Sequence, residues 1–293
     1  MHTYQVTPGQ PFDINNTERQ PPANTPSDDE LKNQLSKTVK SISRWQRKLY
    51  AQDEYAMLLV FQAMDAAGKD STIRHVLSGV NPAGCQVYSF KKPSSRELDH
   101  DFLWRTASRM PQRGRIGVFN RSYYEEVLVV RVHPEYLNYQ RLPVLPKNDA
   151  ELEIFWQQRF DSINDHEQHL VRNGTVVLKF FLNVSLAEQQ RRFLSRIDNP
   201  GKNWKFESAD IAESELWDDY MHAYQACLNA TSTEWAPWHA IPADNKDYMR
   251  LTVANVIEQK LASLNVNYPA SSDTHHRELQ VMRASIESRL KGL

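Results

Sequence analysis

Five short apolar runs alternate with segments of helical periodicity, and this alternation constrains the chain more than any other feature. The runs are Tyr55–Phe61, Gln86–Phe90, Arg115–Asn120, Thr175–Val184 and Trp238–Pro242. They are short and continuous rather than alternating polar and apolar, so both faces of each predicted strand need cover. Helical spacing fills the intervals. It is seen at Ile73–Leu77, Leu98–Arg109, Leu152 to Leu170, the stretch through Arg196, Trp217 to Leu228, and Tyr248–Leu264. Asn173-Gly174 supplies a helix stop. Upstream, Ser27-Asp28-Asp29-Glu30 has capping-box spacing. Leu31, Leu35, Val39, Ile42, Trp45 and Leu49 then predict a long amphipathic helix to about Tyr50. The expected fold is α/β: a parallel sheet with helices on both faces. Residues 1–27 are polar and rich in Pro and Asn, and predict an extended arm. Residues 28–265 predict a single domain, and residues 266–293 a C-terminal extension that is helical.

The turn after the first run carries the chemistry. "LLVFQAMDAAGKDSTIRHV" (Leu58–Val76) reads strand, tight turn, helix, but departs from the usual phosphate-loop spelling at Ala63 and Asp70. Backbone amides at a helix N-terminus present partial positive charge to an anion. Gly68 permits close approach of the backbone, and Lys69 reaches phosphoryl oxygens. Ala66, Ala67, Gly68, Lys69 and Asp70 are the expected phosphate cradle. Asp65 would repel an anion unless a cation lies between, so Mg²⁺ held by Asp65 is expected. Ala63, standing where Gly is usual, raises the question of whether the turn needs a positive φ there.

Charge is distributed unevenly. The chain carries a net charge of -1, which gives no field for nucleic acid or an anionic membrane. No apolar run is long enough to span a bilayer, no secretory signal is visible, and two cysteines make no disulfide framework, so a cytoplasmic setting is expected. Yet between Lys91 and Arg131 nine basic residues face five acidic ones. Lys91, Lys92, Arg113 and Arg121 from this excess predict a basic groove beside the loop.

Taken together, "MDAAGKD", "GVNPAG", "FKKPSSRELDHDFLWR" and "FNRSYYEEVLVVRVHP" resemble the polyphosphate kinase 2 family. The last block is similar to its class III branch, whose members phosphorylate nucleoside mono- and diphosphates from inorganic polyphosphate. The resemblance extends through Phe181–Leu251 and covers roughly residues 28 to 265. It implies a P-loop kinase-like fold and a polyphosphate-dependent nucleotide kinase using Mg²⁺. By the same resemblance Asp65 is a metal ligand, Lys69 grips the transferring phosphates and Arg121 clamps phosphate. Asn120 takes a metal position that is usually Asp in the other classes. Glu125 replaces a common Asn and, with Tyr124 and Arg131, is expected on the nucleotide-acceptor side. The base is expected to be adenine or guanine, and the family tends to form dimers or tetramers, a contact the long N-terminal helix could serve.

Phosphoryl transfer also needs a cover that excludes water. Arg192 and Arg196 share one helix face and precede the polar stretch "DNPGKNWKF". With Lys202 and Lys205 they are expected to close as a lid over about residues 186–212. Trp217, Tyr220, Met221 and Tyr224 read as core. Asp244 and Lys246 lie in a polar turn that would neighbour a nucleotide or simply satisfy itself. Two other readings stay open on sequence: an ATP-dependent nucleotide kinase of the thymidylate-kinase type, and a non-catalytic polyphosphate- or nucleotide-binding protein.

Overall fold

The computed structural model describes residues 4–201, 203–205 and 208–292, without the side chains of residues 205 and 208. Its centre is a five-stranded parallel sheet: β1 (Ala56–Gln62), β2 (Cys85–Ser89), β3 (Ile116–Asn120), β4 (Thr175–Asn183) and β5 (Trp238–Pro242), in the order β2-β3-β1-β4-β5. β1 is central, flanked by β3 (Phe61 opposite Asn120) and β4 (Gln62 opposite Phe181). Every residue of β1, β3 and β5 is buried, which is why their sequences are apolar without alternation.

Helices cover both faces. On one side lie α1 (Asp28–Gln52), α2 (Lys69–Val76) and, after the sheet, α10 (Lys246–Ser263), which packs against both. Ser27 caps α1 by accepting from the Glu30 N–H, and the buried row Leu31, Leu35, Val39, Ile42 and Leu49 is taken up by the α1–α10 contact. The opposite side holds α6 (Asp149–Arg172), capped by Asn148 and ended at Gly174 with φ +85°, and α9 (Trp217–Thr231). Between β2 and β3 stand two single turns, α3 (Ser95–Leu98) and α4 (Trp104–Ala107); α5 (Val129–Val132) follows β3. The predicted helix Leu98–Arg109 is thus broken. The Ser94/Glu97 capping box closes the first turn, and the Asp101 carboxylate accepts from the Leu103 N–H at 2.9 Å, so the chain restarts there. After β4 come α7 (Leu186–Ile197) and α8 (Ser208–Glu215).

The N-terminal arm is extended and tied to the domain. Its backbone pairs with β5, Val6 N–H to Trp238 O and Ala240 N–H to Tyr4 O, each at 2.8 Å. Further along, the Phe12 and Ile14 amides donate to Asn229 and Gln225 on α9, and Val6 and Ile14 are buried. At the other terminus, α11 (Asp273–Lys291) has no buried residue. No helix among the described residues is long and apolar enough to cross a membrane.

Candidate active site

Ligands of open parallel sheets gather beyond the carboxyl ends of the strands. Here the ends of β1 and β3 deliver the loop Ala63–Gly68 and the Asn120-Arg121 corner side by side. Two non-glycine residues sit in the left-handed region at this point: Ala66 (φ +60°) and Arg121 (φ +63°). Each costs about 1–3 kcal/mol of backbone strain. The positive φ therefore falls at Ala66, while Ala63 is not among the positive-φ residues. Gly68 (φ +108°) opens α2, and a Cβ there would come within 3.3 Å of Met249 Cε.

The strained pair aims two opposite charges at each other. Arg121 Nη2 donates to Asp65 Oδ1 at 2.8 Å, and its other nitrogen lies 3.6 Å from Glu125. Burial opposes ionisation of Asp65, but Lys69, Arg121 and Arg196 outweigh it and hold the carboxyl below its ordinary range. Burial wins at Glu125, whose carboxyl is pushed up despite Arg121 and Lys69. Lys69 Nζ folds back to donate to Ala63 O at 2.6 Å and Met64 O at 3.4 Å. Burial, reinforced by the Arg121 charge, pushes its ammonium down to about 8, with Asp65, Glu125 and Asp70 opposing. The first amides of α2 have no partner within the helix itself.

Two cavities share the Arg121–Glu125 wall. The smaller, about 40 Å³, is bounded by Asp65, Gln189, Asp210, Glu213, Tyr220 and Tyr224. The larger, about 340 Å³, is lined by Phe90, Lys91, Lys92, Arg105, Tyr136 and Tyr139. The expected cations Lys91, Lys92 and Arg121 therefore do converge. Arg113 does not: it donates to Glu54 O and Asn173 O, at the opposite, amino end of the strands.

The acceptor-side expectations are revised. Tyr124 is fully buried, with its hydroxyl between Glu167 (2.9 Å) and Lys179 (2.9 Å), so it anchors the core. Arg131 pairs with Glu153 at 2.9 Å and covers the Trp156 and Phe160 rings, away from both cavities. Of that group only Glu125 reaches the site. Asn120 turns its amide N–H to Asp70 and Ser89, bracing the loop to β3 instead of presenting an oxygen.

The lid residues divide similarly. Arg192 is buried and donates to the carbonyls of Ala66, Ala67, Ala243 and Asp244, so it fixes the loop from behind. Arg196 lies 3.7 Å from Asp210 and adds to the positive field on Asp65. Lys202 lies outside the described residues, as does the Lys205 side chain. Asp244 accepts from Ser185 N–H and Oγ at 2.7 and 2.8 Å, which satisfies its turn. Tyr220 and Tyr224 are buried as expected of core residues, yet they also bound the smaller cavity. Gln189, Asp210, Glu213, Tyr136 and Tyr139 carried no distinguishing sequence signal.

Comparison with known proteins identifies the family. The model of the family described as polyphosphate kinase 2 matches residues 25–269. An ADP-polyphosphate phosphotransferase of Rhodopseudomonas palustris is 54% identical over 252 residues, 86% of either chain. An AMP/ADP-polyphosphate phosphotransferase of Meiothermus ruber is 43% identical over 228 residues, 78% of this chain and 80% of that one. The crystal structure of a polyphosphate kinase 2 from Arthrobacter aurescens superimposes with a TM-score of 0.84 at 36% identity, covering 95% of each chain.

Proposed function

The chain belongs to the polyphosphate kinase 2 family, and from that premise we propose that it moves a phosphoryl group from inorganic polyphosphate to nucleoside diphosphates and monophosphates. It is a phosphotransferase with the P-loop kinase fold. The observation that carries the residue-level reading is the Asp65–Arg121 pair with Lys69 beside it, at the junction of two cavities.

The aromatic cavity suits the nucleotide. Phe90, Tyr136 and Tyr139 offer apolar ring surface to a purine, while Lys91, Lys92 and Arg105 offer charge to its phosphates. Polyphosphate then approaches from the loop and lid side. Lys69 and Arg121 flank the phosphoryl group in flight and stabilise charge on its oxygens. No general base is required, because the acceptor oxygen is already ionised. Glu125, on the shared wall, has its carboxyl pushed up by burial and stays beside the Arg121 guanidinium at 3.6 Å.

Mg²⁺ fits the donors present. It takes oxygen ligands and is held by one or two carboxylates together with phosphate. Asp65 stays ionised and is one-third exposed, and Gln189 Oε1, buried beside it, has no hydrogen-bond partner among the described residues. Asp65 would hold the ion and Gln189 would support it; the ion, when bound, neutralises phosphate charge. A cytoplasmic location, where nucleotides are abundant, goes with this reading. Self-association as a dimer or tetramer belongs to the same proposal. The exposed Leu279, Val281, Met282, Ile286 and Leu290 of α11 support it better than α1, whose apolar face is already covered.

A luciferase-coupled assay tests the proposal. ATP formed from ADP and polyphosphate, and ADP formed from AMP, are the expected results. Turnover only with ATP as donor would establish an ordinary nucleotide kinase, and binding without turnover a non-catalytic receptor.

A further inference from the structure

The outer face of α1 carries charge that the transfer site does not use. From Lys32 to Lys48 the helix has six basic residues and no acidic one, in a chain whose net charge is -1. Lys37, Lys40, Arg44 and Arg47 are exposed, recur every three or four positions, and so lie along one face. With Ser43 and Gly79 they line a groove of about 490 Å³. None of the four makes an ion pair among the described residues. Four unpaired like charges on adjacent turns repel each other, which costs stability unless an anion lies across them.

The groove is connected to the phosphate loop by a single helix. α2 starts at Lys69, runs about 12 Å to Val76 and leads through a turn into Gly79, so the groove lies at the far end of that helix from the loop. Arg74, exposed on α2, stands between them in the chain. Gly79 matters to the shape. A Cβ there would come within 2.9 Å of Val39 Cγ1, so a side chain would force α1 away and fill the groove floor.

We propose that this α1 groove is a second binding site for polyanion, holding the distal part of a long polyphosphate whose end is in the transfer site. The proposal rests on the reading of polyphosphate as donor. A linear polymer with a charge on each phosphate matches a row of cations without requiring shape-specific contacts, and two linked sites bind a long chain more tightly than either alone. A short oligophosphate that fills only the transfer site gains nothing from the groove.

The test is the quadruple variant Lys37→Ala/Lys40→Ala/Arg44→Ala/Arg47→Ala, assayed with ADP and either long polyphosphate or an oligomer of a few phosphates. All four side chains are exposed, so the fold is expected to persist, and circular dichroism with an unchanged KM for ADP verifies that. The expected result is a KM for long polyphosphate raised at least tenfold at low salt. KM for the short donor and kcat should be unchanged. The salt dependence of long-chain binding should become shallower, by about one unit of log-log slope per removed contact. Equal KM values for the long donor in variant and wild type would overturn the groove while leaving transfer intact. Absence of any transfer from polyphosphate in the wild type would instead remove the function it rests on. A single-stranded oligonucleotide held at the groove more tightly than polyphosphate would also overturn the proposal, making the groove a nucleic-acid site.

Discussion

ADP binding should weaken as pH rises through about 8, and Lys69 should be the cause. In the free protein burial and Arg121 push the Lys69 ammonium down from 10.5 to about 8. A bound phosphate favours the charged form and raises that value, so binding above pH 8 takes up a proton. Affinity is then full below about 8 and falls by up to tenfold per pH unit above it. At pH 9 roughly a tenth of Lys69 is protonated, which corresponds to about 1.4 kcal/mol of lost binding relative to pH 7. The nucleotide does not account for this, since the last phosphate ionisation, near 6, is complete. Asp65 stays ionised throughout, because its carboxyl is held below the ordinary range. Titration calorimetry with ADP from pH 7 to 9.5, at fixed Mg²⁺ and ionic strength, measures the profile. Lys69→Arg, which keeps its charge over this range, should bind more weakly through altered geometry but with a flat profile. Glu125→Gln should retain the wild-type slope. A flat wild-type profile, or an equal slope in Lys69→Arg, would show that Lys69 does not meet the phosphate.

Three further outcomes concern the supports of the site. Arg192→Met removes the donor to four backbone carbonyls and should cost about 3–5 kcal/mol in urea unfolding, with a raised KM for ADP; an unchanged midpoint would mean those carbonyls find other donors. Lys179 is fully buried and donates to Glu167 at 2.6 Å. Lys179→Met strands that carboxylate, at a cost of about 3–5 kcal/mol, and Lys179→Met/Glu167→Met should recover most of the loss. Tyr124→Phe should leave the KM for ADP unchanged; a rise would restore Tyr124 to the acceptor site.

The loop Asp65–Lys69 and the strand-end Arg121 were legible in the sequence because each is a local pattern: an apolar strand, a turn, then a helix start. Strand positions followed for the same reason, since burial on both faces writes itself into a continuous apolar run. Helix breaks were less legible. Leu98–Arg109 has helical spacing, but Asp101 captures the Leu103 amide, and that competition between side chain and helix depends on the conformation adopted. Tyr124 and Arg131 lie close in sequence to Arg121 yet point elsewhere, because the 3-10 turn Tyr123–Val127 directs Tyr124 into the Glu167–Lys179 cluster. Gln189, Tyr220 and Tyr224 come from α7 and α9, more than a hundred residues from the loop in sequence, and join it through the parallel pairing of β1 with β4.

Local spacing thus determined where the strands fall and which strand end turns into a helix at Ala63–Gly68, since those choices are settled by the nearest few residues. Only the tertiary structure decided which cations converge and which brace the backbone. An arginine's charge is the same in either role, and its partners are brought to it by packing between distant segments.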